Sequence, residues 1–273
     1  MTPAISLQLY TVNAALQTNL DAGIARLAEI GFTTVEAFAF VDRAPALKAA
    51  LDAHGITART GHAFLVQDEI DSPDGIKGKV PSHEDTFRAA KELGLEVVID
   101  PFVPAELWQT RADVEGVAAR LNAAARTAAT YGLSVGYHNH DHEFRAQIEG
   151  RSAYELFIDL LEPEVKLELD LYWANAAGVD VHELLPRLGN RLIAVHIKDG
   201  PWREGISTAE LPKDQLPAGQ GDVPLAAGIA TATALEYAVI EFDHYEGDIF
   251  DGVTQSFTWL QNTLANEDRK VSA

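Results

Sequence analysis

The chain has 273 residues, 47% of them apolar, no cysteine, and 41 acidic against 21 basic side chains, a formal charge of −20. That apolar content suits a large core and argues against disorder, and the missing thiols exclude disulfides, thiolate metal sites and a cysteine nucleophile. The acidity works against nucleic acid, whose affinity comes mainly from Lys and Arg at phosphates. No apolar run reaches the ~18–20 residues of a membrane span. The first residues, MTPAISLQLYT, hold no basic leader region, so a cytoplasmic protein with neither membrane nor nucleic-acid partner is expected.

In chain order, strand-like runs fall at 5–9, 34–37, 57–61, 97–100, 134–139, 166–170, 192–196 and 237–241, with helix-like stretches between them. A helical pattern closes in glycine just before four of these runs, at Gly31, Gly55, Gly94 and Gly132. Glycine takes the left-handed helix-cap conformation without a Cβ penalty. Helical stripes comprise Val114, Val117, Leu121 and Ala125, then Val181, Leu184, Leu185 and Leu188, then Phe250, Val253, Phe257, Leu260 and Leu264. Asp180 and Glu183 are spaced as a capping box. Two longer irregular stretches, near 66–81 and 200–224, belong on the strand-end face, where lids lie. Eight strands alternating with helices predict a single-domain (β/α)₈ barrel over 1–273. An open doubly wound sheet competes, but no glycine-rich dinucleotide fingerprint follows the first strand.

Ionisable residues close these runs: Glu36, His62, Asp100, His138 and His140, Asp170, His196, and Glu241. In a barrel the C-terminal strand ends form the active site. Alternation along a strand sharpens the point. Leu167, Leu169 and Leu171 should face the helices, and Glu168, Asp170 and Tyr172 the axis. Likewise Ile193, Val195 and Ile197 should point outward and His196 and Lys198 inward, with Ala238 and Ile240 out and Glu241 and Asp243 in. The segment HNHDHEF adds His138, His140, His142 and Glu143. Carboxylates with an imidazole make an oxygen-rich site for one divalent cation, with Mn²⁺ favoured and Mg²⁺, Co²⁺ or Zn²⁺ as alternatives. Glu36, His62 and His138 are candidates for binding substrate hydroxyls, the alternative being local backbone partners. Trp173, Trp202, Phe40 and Phe102 could wall a substrate pocket or simply fill the core. Lys198 is a candidate for neutralising an oxyanion, or a solvated lysine at a loop start. Glu168, one layer deeper than Asp170, needs a buried partner.

The motifs YHNHDHEF (137–144), ELDLYWANAAG (168–178), VHIKD (195–199), GQGDVP (219–224) and VIEFD (239–243) resemble those of the xylose isomerase-like barrels. This is the sugar phosphate isomerase/epimerase group, related to inosose dehydratases and AP endonuclease family 2, and the likeness covers essentially the whole chain. It implies one divalent metal held by Glu143, Asp170, His196 and Glu241, with a histidine of 138–142 as the competing fourth ligand. It further implies an isomerase or epimerase of a small sugar or keto-sugar, working by proton removal α to a carbonyl through a metal-stabilised enediolate. His140, Glu143, Glu241 and Lys198 are then the catalytic candidates. A lyase or dehydratase acting on a keto-sugar, inosose or 3-keto-glycoside is the alternative, ahead of a non-catalytic sugar-binding barrel and of a nuclease. GQGD ends in an acid and makes no usual anion cradle, which favours an unphosphorylated sugar. Self-association into a homo-oligomer stays open.

Overall fold

The computed structural model describes residues 2–71, 75 and 77–271. Eight strands form one parallel sheet: β1 (Ala4–Leu7), β2 (Thr34–Ala37), β3 (Thr57–His62), β4 (Val97–Asp100), β5 (Ser134–His138), β6 (Lys166–Asp170), β7 (Leu192–Ile197) and β8 (Tyr237–Ile240). From β2 to β8 each pairs with its neighbour in sequence, and β8 pairs back to β1. A bridge between Gln8 and Glu36 joins the ends of β1 and β2, so the sheet is a nearly closed barrel with helices around it. The (β/α)₈ expectation holds, with strand ends displaced by a residue or two. β1 stops at Leu7 because the Gln8 side chain accepts from Tyr10 N–H and starts a helical turn at Leu9–Val12.

Local chemistry explains the helices. Gly31 and Gly94 take φ of 116° and 91° and close the helices Leu20–Ile30 and His83–Leu93. All three apolar stripes are buried apart from Ala125, which is half-buried. Asp180 does cap Val181–Leu188, but through His182 N–H alone, without the reciprocal Glu183 bond. Reciprocal capping boxes stand instead at Thr110/Asp113 and Ser152/Glu155.

The interior has two apolar layers. Leu167, Leu169, Val195, Ile197, Ala238 and Ile240 face the helices, as alternation requires. A separate cluster joins Val97 and Ile99 of β4 to Ile193, Ala194 and Val239 of β7 and β8. Because β4 is not a neighbour of β7 or β8 in the sheet, these side chains meet across the barrel axis. Ile193, expected outward, packs here because a register shift between Leu167 and Glu168 of β6 breaks the alternation opposite it. Tyr172 escapes the strand rule too: β6 ends at Asp170, and Asp170 accepts from Trp173 N–H to cap Leu171–Ala176. Of the two irregular stretches, 66–81 contains a hairpin of Glu69–Asp71 with Lys77–Lys79, and its residues 72–74 and 76 lie outside the described residues. Among the described residues no helix is long and apolar enough to cross a membrane.

Candidate metal centre and pocket

Above the apolar plug lies a buried layer of carboxylates and imidazoles. Glu36, Glu168, Asp170 and His196 have no solvent exposure. His62 Nε2 is 2.8 Å from Glu168 Oε1 and 3.0 Å from Glu36 Oε1, and Gln8 Nε2 donates to Glu36 Oε1 at 2.8 Å. His138 turns Nδ1 to Glu168 Oε1 at 3.0 Å and Nε2 towards Asp170 Oδ2 at 3.8 Å. His196 turns Nε2 to Glu36 and Glu168, at 2.9 and 3.0 Å, and Nδ1 to Glu241 Oε2 at 2.7 Å. Buried carboxylates persist only with such partners. Burial opposes charge on His62, but Glu36 and Glu168 outweigh it and raise its pKa to about 10. Burial and Glu36 both act to raise Glu168, yet His196 and His62 bring it down to about 2.

His138, Asp170, His196 and Glu241 each offer a ligand atom within 4.8 Å of the others. Asp170 Oδ2 accepts no hydrogen bond, and two imidazoles with two carboxylates suit Mn²⁺, Co²⁺ or Zn²⁺, with Mg²⁺ less at home beside nitrogen. The residues present therefore fit a divalent cation. A second set, His62, His138, Glu168 and His196, overlaps the first.

A pocket opens onto this layer. Its polar lining is His62, His138, His140, Lys198, Thr208, Glu241 and Asp243, and its mouth is apolar, with Tyr10, Phe38, Phe64, Phe102 and Leu211. Lys198 is 1% exposed, which rules out the solvated reading. Its Nζ lies 2.9 Å from Glu241 Oε2, 3.0 Å from Asp243 Oδ2 and 3.1 Å from Asp170 Oδ2. Burial disfavours that ammonium, but the carboxylates more than compensate and hold its pKa well above the usual lysine value. His140 stacks on His142 and meets Phe102 edge-on. Burial, together with His142 and Lys198, pushes its pKa well below the usual histidine value, so the ring is neutral. Among the described pocket residues, His62 and His138 are bonded to carboxylates, whereas His140 Nδ1 is buried without a partner.

Asp170, His196 and Glu241 thus converge as strand alternation requires. Glu143 does not join them. It sits past β5 in the short helix His142–Arg145, where Tyr137 Oη donates to Oε1 at 2.8 Å and His140 N–H to Oε2 at 2.9 Å. It belongs to neither donor set; His138, the last residue of β5, takes the corresponding place. Glu36 lies beneath the pocket rather than on its lining. Trp173 is buried behind the wall, edge-on to Tyr172, and Phe40 is wholly core. Trp202 is 58% exposed and off the lining, its backbone N–H donating to Asp222. Glu168 has the buried partners its position demanded.

Sequence reasoning missed the loop anchors. Asp199 accepts from the N–H groups of Gly200, Gly219, Gly221 and Val223, and Gln220 and Asp222 N–H donate to the carbonyls of Pro217 and Gly200, so all four GQGD amides are spent internally. A Cβ at Gly221 would lie 2.2 Å from Asp199 Oδ1, which explains the glycine. Asp141 accepts from Thr208 N–H and Oγ1 and from Arg145, tying the 200–224 loop to the end of β5. Gln215 donates to Asp243 and receives the N–H groups of Asp243 and His244. Asp100 takes three N–H groups, from Leu65, Val66 and Phe102, and so fixes the walls carrying Phe64 and Phe102. An acceptor at a strand end and a glycine-rich loop ~20 residues later are the available signals, but neither names its partner.

Known structures share the architecture. A sugar phosphate isomerase/epimerase from Parabacteroides distasonis is 24% identical, with a TM-score of 0.73 over 96% of this chain and 94% of its own. A probable 3-DHS dehydratase, AsbF, from Bacillus anthracis is 13% identical, with a TM-score of 0.70 over 95% and 99%. The IOLI protein, solved with a binding zinc atom, is 14% identical, with a TM-score of 0.68 over 97% and 99%. No curated protein matches the sequence significantly. At these identities the structures speak for the fold alone, whereas the family model matches residues 24–263: the chain belongs to the xylose isomerase-like TIM barrel family.

Proposed function

We propose that this protein is a divalent-metal-dependent isomerase or epimerase of a small, unphosphorylated sugar or keto-sugar. The observation that carries the reading is the donor set of His138, Asp170, His196 and Glu241, which opens on a pocket holding an unbonded neutral imidazole, His140. His138, Asp170, His196 and Glu241 are the residues that would hold the cation, with Mn²⁺ favoured. When bound there, a divalent ion draws charge from adjacent carbonyl and hydroxyl oxygens and acidifies the intervening C–H. His140, neutral and with Nδ1 unpartnered, removes that proton. Lys198 carries positive charge to the pocket and faces the oxygen that becomes anionic, while Asp170, Glu241 and Asp243 hold its ammonium in place. Return of the proton to the opposite face or the neighbouring carbon gives epimer or isomer.

The lack of a phosphate clamp favours a neutral substrate. Lys198 is the only Lys or Arg among the described lining residues, it is matched by three carboxylates, and the GQGD amides are occupied by Asp199 and by backbone carbonyls. One observation favours the lyase alternative: the mouth carries Tyr10, Phe38, Phe64, Phe102 and Leu211, an apolar surface that suits the leaving group of a 3-keto-glycoside. The deciding experiment incubates Mn²⁺-loaded protein in D₂O with ketoses, inososes and 3-keto-glycosides and follows each by NMR. Deuterium entering α to the carbonyl without loss of a group supports isomerisation. Release of an aglycone or water supports the lyase. No exchange with any of them contradicts both.

A further inference from the structure

His138 and His196 belong to both donor sets. A neutral imidazole has one nitrogen with a free lone pair and one that carries a proton, so neither ring can serve a cation on both sides. Three nitrogens, His62 Nε2, His138 Nδ1 and His196 Nε2, stand 2.8, 3.0 and 3.0 Å from a single atom, Glu168 Oε1. An oxygen so surrounded accepts, and the nitrogens donate. Glu36 Oε1 repeats the arrangement one step further in, with His62 Nε2 at 3.0 Å, His196 Nε2 at 2.9 Å and Gln8 Nε2 at 2.8 Å. The inward nitrogens of both shared rings therefore carry protons. What remains, His138 Nε2 and His196 Nδ1, faces Asp170 Oδ2 and Glu241 Oε2.

We propose that Glu168, backed by Glu36 and His62, is a positioning residue that sets which nitrogen of His138 and of His196 is offered to the cation. The inner set is then a proton-bearing network and not a second cation site. The carboxylates are placed accordingly: Glu36 and Glu168, like Asp170, lie off the pocket lining, whereas Glu241 is on it. The inference rests on the cation reading above and adds the device that orients its ligands. Partners of this kind hold ring and tautomer for a metal-bound histidine, and their removal costs about 10–100-fold in metal affinity.

The test pairs long-range ¹⁵N–¹H NMR of the imidazoles in wild-type protein, chelated and Zn²⁺-loaded, with Mn²⁺ titrations of wild type, Glu168→Gln and Asp170→Asn. Protons on His138 Nδ1 and His196 Nε2 in both samples are expected. Glu168→Gln should weaken Mn²⁺ about 10–100-fold while X-ray absorption still counts two imidazole ligands, and Asp170→Asn should weaken it further. A proton on His138 Nε2 in the Zn²⁺-loaded protein overturns the inference. So does Mn²⁺ binding that survives Asp170→Asn but vanishes in Glu168→Gln, since the inner set would then be the site. If Glu168→Gln does not fold, the wild-type spectra decide alone. Failure of the functional reading looks different: wild-type protein that takes up no Mn²⁺ and exchanges no α-proton, whatever its tautomers.

Discussion

Strands β5–β8 and their ends bring together His138, Asp170, His196 and Glu241, of which His138 and Glu241 line the pocket, while β1–β4 and the turns after them bring Gln8 and Glu36 beneath it, His62 to its lining and Tyr10, Phe38, Phe64 and Phe102 around its mouth. Both halves are rich in ionisable strand ends, yet they use them differently. In the first half the polar groups are turned inward: Glu36 Oε1 is shared by Gln8 and two imidazoles, and Asp100 accepts from three backbone N–H groups. In the second half the ligand atoms share one small volume, and Asp170 Oδ2 accepts no hydrogen bond. What separates the two sets of carboxylates is access: Glu241 reaches the pocket lining, whereas Glu36 and Glu168 stay beneath it.

The contrast breaks most sharply at Asp170. Replacement by Asn should cost well over the ~100-fold typical of a supporting partner, both in Mn²⁺ affinity and in α-proton exchange. His140→Asn should reduce turnover by about 10²–10⁴-fold and leave Mn²⁺ affinity unchanged, as titration calorimetry beside the exchange assay would register. Equal loss of both would make His140 a ligand.

In the first half, effects should fall on stability and affinity. Burial raises the Asp100 pKa to about 6 from 3.8, with the three backbone N–H groups only partly offsetting it. Between these values the folded state holds a proton that the unfolded state has lost, so this carboxyl erodes stability as pH rises from about 4 to about 6. The full cost above that window is at most about 3 kcal/mol. Denaturant melts across that range should show the decline in wild type and a shallower one in Asp100→Asn; matching slopes would refute the assignment. Smallest is Phe64→Ala, expected to raise KM by about tenfold at similar turnover through loss of apolar contact, about 1.4 kcal/mol. A change confined to kcat would place Phe64 in the chemistry instead.

The same contrast explains what was legible beforehand. Strand spacing, glycine caps and alternation suffice for the barrel and for the convergence of Asp170, His196 and Glu241, because these depend on local periodicity. Alternation holds only inside a strand: His138 is the last residue of β5, while Glu143 lies a helical turn beyond, where Tyr137 takes it up. Motif likeness favoured the glutamate, and backbone geometry favours the histidine. Ile193 eluded the pattern through a register shift that no period announces. Asp199 with Gly219 and Gly221, or Asp141 with Thr208, are pairings over 20 to 67 positions that only the fold brings together.

The most direct measurement is anomalous diffraction at the manganese edge from crystals soaked in Mn²⁺. The account predicts one peak, with His138 Nε2, Asp170, His196 Nδ1 and Glu241 as its protein ligands. A peak lodged among His62 and Glu168, one bound to Glu143, or none at all would contradict it.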